Sequence, residues 1–368
     1  MKTVLVIVGT RPEAIKLCPV ILELRQREEL RTVVLSTGQH GALMESAMAC
    51  FGVCADETLP QAGGGGLECL TGGILSALGA VFDRVRPDLC VVQGDTASAF
   101  AGALAGFYRG VPVAHVEAGL RTYHIRSPFP EEMHRQVITT LADLHFAPTV
   151  AAKRNLLRAG VSEKRVYLTG NTVIDALRYS LVEGKPKALP EFRKGARMLL
   201  FTAHRRESWG EPLREMLYAL RETVEAFPDT FAVCPLHPNP AVRQAAGEIL
   251  GDCSRISVID PPELTTFHHL LARAFVVLTD SGGIQEEATA LGIPTLVLRH
   301  STERQEGLRA GVLRLAGTDR AGIVTAAREL LLPDSGVYAA MHRPSGVFGD
   351  GQASRRIVRI LEGWMKKA

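Results

Sequence analysis

No apolar run in the sequence approaches the roughly 18–20 residues that a membrane span requires, which argues against a transmembrane protein or a membrane partner. The first apolar stretch, within MKTVLVIVGTRPE, covers only about six residues and lacks a small-x-small cleavage pattern, so a β-strand is expected there rather than a secretory leader. The seven cysteines, at 18, 50, 54, 69, 90, 234 and 253, are odd in number, scattered, and without a C-x-x-C pair. That usage predicts no disulfide framework and no metal site, and a reduced, cytoplasmic protein. Net charge is also small. With 42 basic and 39 acidic residues the chain carries only +3, so charge favours neither a nucleic-acid partner nor a membrane surface. There is no short-period repeat, no Walker lysine motif and no G-x-G-x-x-G.

What the chain does have is length and alternation. Its 368 residues, 46% hydrophobic and 22% charged, suit two soluble domains with real cores. Apolar or β-branched runs at 3–8, 31–37, 89–93, 111–117 and 144–148 alternate with helical stretches such as Ala14–Arg27 and Ala97–Tyr108. The pattern restarts at 197–204, 231–237, 255–260, 275–281 and 294–299. Such alternation marks βαβ units around parallel sheets, so an α/β fold of two Rossmann-like halves is expected. The charged segment EGKPKALPEFRKG (183–195), with two prolines, is the best boundary loop. GGGG (63–66) is the one low-complexity spot, and the last helix candidate places Ile357, Val358, Ile360, Leu361 and Trp364 among basic residues.

Open parallel sheets bind ligands beyond the carboxyl ends of their strands, and there the residue types are unusual. GTRPEAIK (9–16) brackets a helix start with Arg11 and Lys16; HRRES (204–208) sets His204 and Arg205 at another strand end. TDSGGIQEEA (279–288) opens a helix with Ser281, Gly282 and Gly283. Bare glycines at a helix start make either a tight connection or an anion site, because the first N–H groups lack internal partners. With several cations at other strand ends, a diphosphate is the economical reading. Glu286 and Glu287 follow one turn on, where a carboxylate either offsets the helix dipole or accepts from ribose hydroxyls, and Arg304 adds a cation. The first half supplies acids instead. Asp95 (QGDT), Glu117 (HVEAGLRT) and Glu131 (SPFPEEMHRQ, with Arg135) follow strands or open helices. Each alone could be a cap or a dipole partner; three on one face suggest acid–base work.

These segments, together with GNTVIDAL (170–177) and GDGQAS (349–354), resemble in order the non-hydrolysing UDP-N-acetylglucosamine 2-epimerase family, from Gly9 to about Arg304 and again near the C-terminus. The resemblance implies a GT-B fold with the active site in the interdomain cleft, an N-terminal domain 1–178, a UDP-binding domain 179–352, and a helix 353–368 packing back on the first domain. It implies reversible epimerisation of UDP-GlcNAc and UDP-ManNAc through 2-acetamidoglucal, without cofactor or metal, by a homodimer supplying ManNAc for surface polysaccharides. Carried over motif by motif, Arg11, Lys16, His204, Arg205, Ser281, Gly282, Gly283 and Arg304 would hold UDP, Glu287 the ribose and Phe267 the uracil. Asp95, Glu117 and Glu131 would be the catalytic acids, supported by Arg135 and His204.

The chain departs from the family's pattern in several places. Gln93 stands where His is common, His134 where Asn is common, and Pro262 and Leu264 where base contacts are usual, which leaves uracil more dependent on Phe267. Gln39, His40 and His237 are the possible allosteric residues. Gly41, Ala42 and the glycine run lack the polar side chains usual nearby, so weak or absent activation by UDP-GlcNAc is expected. The alternatives are a hydrolysing epimerase releasing ManNAc and UDP, a GT-B glycosyltransferase, and an inactive nucleotide-sugar sensor; the last conflicts with three retained acids.

Overall fold

The computed structural model describes residues 1–60, 65–187, 195–203 and 209–367. The chain forms two compact units: Met1–Tyr179 with Gly349–Ala368, and Ser180–Phe348. Both are parallel α/β sheets, as expected for the two Rossmann-like halves. In the first unit β1 (Lys2–Val8), β2 (Leu30–Ser36), β3 (Glu57–Thr58), β4 (Leu89–Gln93), β5 (Val113–Val116), β6 (Leu144–Ala147) and β7 (Val166–Leu168) lie in the order β3-β2-β1-β4-β5-β6-β7. In the second, β8 (Arg197–Thr202), β9 (Thr230–Pro235), β10 (Ile256–Ile259), β11 (Val276–Thr279), β12 (Thr295–Val297) and β13 (Leu313–Leu315) lie in the order β10-β9-β8-β11-β12-β13. Each order reverses direction once, between β1 and β4 and between β8 and β11. Those switch points, where adjacent loops diverge, are where open α/β sheets hold ligands.

The strands read as unbroken apolar runs because helices cover both faces of each sheet. In β1 every residue from Thr3 to Val8 is buried. The helix Ala97–Tyr108 is rich in Ala and Gly for a packing reason. A Cβ at Gly102 would lie 2.8 Å from Ile7 Cδ1 and 3.0 Å from Val92 Cγ1, so only glycine lets the helix approach β1 and β4 that closely. Thr96 caps this helix by accepting from Ala99 N at 3.0 Å, which leaves Asp95, the other candidate cap, for another partner.

The helix Ala353–Met365 belongs to the first unit and packs on the helix Arg11–Arg25. Ile357, Val358 and Leu361 are fully buried, worth roughly 5–9 kcal/mol of gross burial before chain entropy. Its N-terminus is capped from outside. Asp175, on the helix Thr172–Val182, accepts from Ser354 N (2.8 Å) and Ala353 N (3.2 Å), and also from the Ser354 hydroxyl. No helix of the described residues is long and apolar enough to cross a membrane.

Candidate functional site

The first unit gathers its acids beyond β1, β4 and β5. Thr10 and Glu13 close a capping box at the helix Arg11–Arg25. Glu13 is buried and accepts from Gly9 N (3.1 Å), Thr10 N (2.6 Å) and Thr96 Oγ1 (2.6 Å). Burial pushes its carboxyl up to about 7 despite those bonds. This box fixes the turn from which Arg11 and Lys16 project. Arg11 has no carboxylate partner among the described residues; its backbone N–H donates to His40 Nδ1 at 3.4 Å.

Glu117 is the centre of this half. Its backbone is left-handed, φ +62°, a conformation that costs a non-glycine residue on the order of 1 kcal/mol and that collects at functional positions. Lys16 Nζ donates to its two oxygens at 2.7 and 2.6 Å, Asn171 Nδ2 to Oε1 at 3.0 Å, and Gln93 Nε2 to Oε2. Lys16, read from the sequence as a diphosphate ligand, therefore meets an acid in this structure. Gln93, one of the departures from the family's pattern, thus acts on Glu117. Asn171 was missed as a site residue, although its segment GNTVIDAL was noted; its Oδ1 accepts from Val173 N at 3.1 Å, which aims the amide at Glu117.

Asp95 receives Arg135 Nε on Oδ2 at 2.7 Å, and its carbonyl meets His134 Nδ1 at 2.7 Å. His134 stacks on Phe100 with centroids 5.0 Å apart, so this substitution for Asn steadies the Asp95 loop. His115, from β5, holds the same loop through Nε2 to Gly94 O at 2.7 Å; burial lowers its pKa to about 4, so the ring is neutral at pH 7. The two adjacent glutamates of the helix Glu131–Leu141 part company. Glu132 is buried and accepts from Thr122 N (2.9 Å), Tyr123 N (3.2 Å), Gln136 and Arg135, so it pins the preceding loop. Glu131 leaves Oε2 buried without a hydrogen-bond partner. Asp95 and Glu117 thus stand beyond the adjacent strands β4 and β5, held by Arg135 and Lys16 respectively, and Glu131 opens the helix that carries Arg135. Of the allosteric candidates, Gln39 accepts from Ser98 Oγ at 2.7 Å, and burial lowers the pKa of His40.

The second unit carries the glycine helix start after β11. No side chain caps the helix Gly282–Leu291, and Ser281 N turns back to Thr279 Oγ1 at 3.0 Å. A Cβ at Gly283 would meet open space, so nothing in the packing demands glycine there. One at Gly282 would lie 3.0 Å from Arg304 Cζ, which sets that guanidinium over the helix start. Arg304 Nε donates to buried Glu286 at 2.7 Å, while Glu287 lies 3.5 Å from His268 Nε2. An uncapped helix start with an arginine above it suits an anion. Glu286 is already committed to Arg304, and Glu287 is buried beside His268. Phe267 is half-buried on the helix Leu264–Arg273. His237 accepts from Asn239 N at 3.1 Å. His204 and Arg205 lie outside the described residues. Among the described residues no cluster of three His, Cys, Asp or Glu side chains could hold a metal.

Residues 22–362 match the family described as UDP-N-acetylglucosamine 2-epimerase. The Bacillus subtilis protein named UDP-N-acetylglucosamine 2-epimerase is 45% identical over 367 residues, covering 97% of this chain and 94% of that protein. A Neisseria meningitidis UDP-GlcNAc 2-epimerase solved with UDP-GlcNAc superposes with a TM-score of 0.91 at 39% identity, covering 99% of this chain and 100% of that one. The S. aureus protein MnaA, solved with UDP, gives 0.92 at 40% identity, covering 100% and 97%.

Proposed function

Because the chain belongs to the UDP-N-acetylglucosamine 2-epimerase family, we propose that it interconverts UDP-GlcNAc and UDP-ManNAc without releasing free sugar, by eliminating and re-adding UDP. The observation that carries this reading is three acids at strand and helix ends of one unit, Asp95 beyond β4, Glu117 beyond β5 and Glu131 at the start of the helix that supplies Arg135, the last with a buried, unpartnered oxygen. A UDP-binding protein without chemistry at the sugar has no use for three such acids.

The C2 hydrogen of the sugar is not activated by a carbonyl, so direct deprotonation is prohibitive. Breaking the C1–O bond first builds positive charge on the ring and acidifies C2. UDP leaves with the bonding electrons, a carboxylate takes the C2 proton, and 2-acetamidoglucal remains. UDP then returns to C1 while a proton is delivered to C2 from the opposite face. The uncapped helix start Ser281–Gly283 and Arg304 stabilise the departing diphosphate, joined by Arg11 and by His204 and Arg205. Glu287 holds the ribose and Phe267 the uracil. Asp95, Glu117 and Glu131 stabilise the cationic ring and carry the proton, with Arg135 positioning Asp95. The enzyme acts as a homodimer and supplies ManNAc units for surface polysaccharides.

Incubation with UDP-GlcNAc in D₂O tests the route. Deuterium at C2 of both UDP-ManNAc and recovered UDP-GlcNAc is expected by NMR. Free ManNAc accumulating with UDP would instead assign the hydrolysing reaction.

A further inference from the structure

The first unit contains a polar cavity that the epimerase reading leaves unused. It has a volume of about 580 Å³ and lies beside β6, walled by the helix Glu131–Leu141, the loop that carries Arg121 and Tyr123, and the turn 159–162. That volume falls within the range of small-molecule sites. Its lining residues include Arg121, Arg165 and His145, and no aspartate or glutamate.

Both guanidiniums are held in place by oxygens of the protein. Arg121 donates to Leu120 O (2.8 Å) and Thr139 Oγ1 (2.6 Å) and has no ion-pair partner among the described residues. Arg165 donates to Ala142 O (2.7 Å), Asp143 O (2.8 Å) and Asp143 Oδ1 (3.0 Å). A guanidinium has five N–H donors, so each keeps some in reserve. In the same wall His145 is fully buried, and neither ring nitrogen has a hydrogen-bond partner. Burial first, and then the charges of His115, Arg165 and Arg121, lower its pKa to about 3. Asp143 pairs with Arg165, Arg121 has no ion-pair partner among the described residues, and His145 is neutral, so the lining keeps a net positive charge. Gln136, Thr140 and Ser162 add neutral polar groups around it.

We propose that this cavity binds a small phosphorylated, hydroxyl-bearing molecule, with its phosphate between Arg121 and Arg165. Two guanidiniums match a dianion, and the amide and hydroxyls match a polyol body.

The test is calorimetric titration of the full chain with N-acetylglucosamine 6-phosphate and with inorganic phosphate, in excess UDP so that the nucleotide site does not compete. Unphosphorylated N-acetylglucosamine is the control. The sugar phosphate is expected to bind at about millimolar or tighter, and the control at least about tenfold more weakly. Ser162 is exposed in a turn, so Ser162→Asp adds a repelling charge without disturbing the core. Ser162→Asp and Arg121→Met should each weaken the sugar phosphate by roughly tenfold to a hundredfold, as expected for a lost or opposed charge-assisted bond. UDP affinity and melting temperature of Ser162→Asp should match the parent. The His145 ring resonances should shift on adding phosphate in the parent but not in Ser162→Asp. No binding of either phosphate, or binding indifferent to both substitutions, overturns the proposal. Ser162→Asp separates this site from any other anion site, so the outcome stands whether or not UDP is the nucleotide.

Discussion

Replacing Lys16 with Met keeps the aliphatic stem and removes the ammonium, which separates two roles that the sequence alone confounds. In the structure Nζ bonds both oxygens of Glu117, whose side chain is only 5% exposed. Removing one member of a buried pair costs roughly 3–5 kcal/mol, because the other charge is left uncompensated. Gln93 and Asn171 still donate to Glu117, so the lower end, about 3 kcal/mol, is expected. Glu117 can relieve that cost by taking up a proton, but a protonated Glu117 neither accepts a proton nor steadies a cationic sugar. If the whole amount falls on turnover, kcat drops by roughly a hundredfold or somewhat more. UDP affinity, measured by titration calorimetry, should stay within about threefold of the parent. A circular-dichroism melt checks that the variant is folded. The opposite pattern, UDP affinity lost by tenfold or more with kcat intact, would refute the reasoning and return Lys16 to the diphosphate.

Two further substitutions test the frame around the site. Glu13 has a carboxyl near 7 in the folded chain against an ordinary 4.5, so the folded state binds the extra proton between those values. Stability should therefore fall as pH rises from about 4.5 to 7, by at most about 3 kcal/mol, and the cost is fully present above that window. Urea unfolding at about pH 5 and pH 8 should show the decline in the parent and its absence in Glu13→Gln, and equal slopes in the two would dismiss this account. Asp175→Ala deprives Ala353 N and the Ser354 N–H and hydroxyl of their acceptor. A loss of about 3 kcal/mol is expected, lowering the melt of the first unit by roughly 6–12 °C, with faster amide exchange at the start of the last helix. An unchanged melt would mean that water caps that helix equally well.

The sheets were legible because their inner strands are continuous apolar runs flanked by Gly, Pro and charge; β1, β4, β5, β8 and β11 all read directly. β3, β7 and β13 were not read. They span two or three residues at sheet edges and are partly exposed, too short for any period to show. The site was legible as residue types at strand ends and illegible as partnerships. Nothing local says that Thr96 rather than Asp95 caps the next helix, since either residue suits the position. Nor does a pattern connect Glu117 to Asn171 or Gln93, or Glu286 to Arg304, because those pairings form only once separate strands align. The neighbours Glu131 and Glu132 differ for the same reason. The helix rotates Glu132 toward the backbone amides of Thr122 and Tyr123 and leaves Glu131 with an unmatched oxygen.

The return of residues 349–368 to the first unit has a consequence for synthesis on the ribosome. The surface that the last helix covers on Arg11–Arg25 must wait while the whole intervening unit emerges, for roughly ten to thirty seconds at ordinary elongation rates. The later-made unit is continuous in sequence and can close on its own, whereas the earlier-made one is left with an open apolar seam. Holding chaperones would therefore be needed at the amino-terminal half, and a message truncated near its end would yield a chain whose second unit is sound and whose first is not.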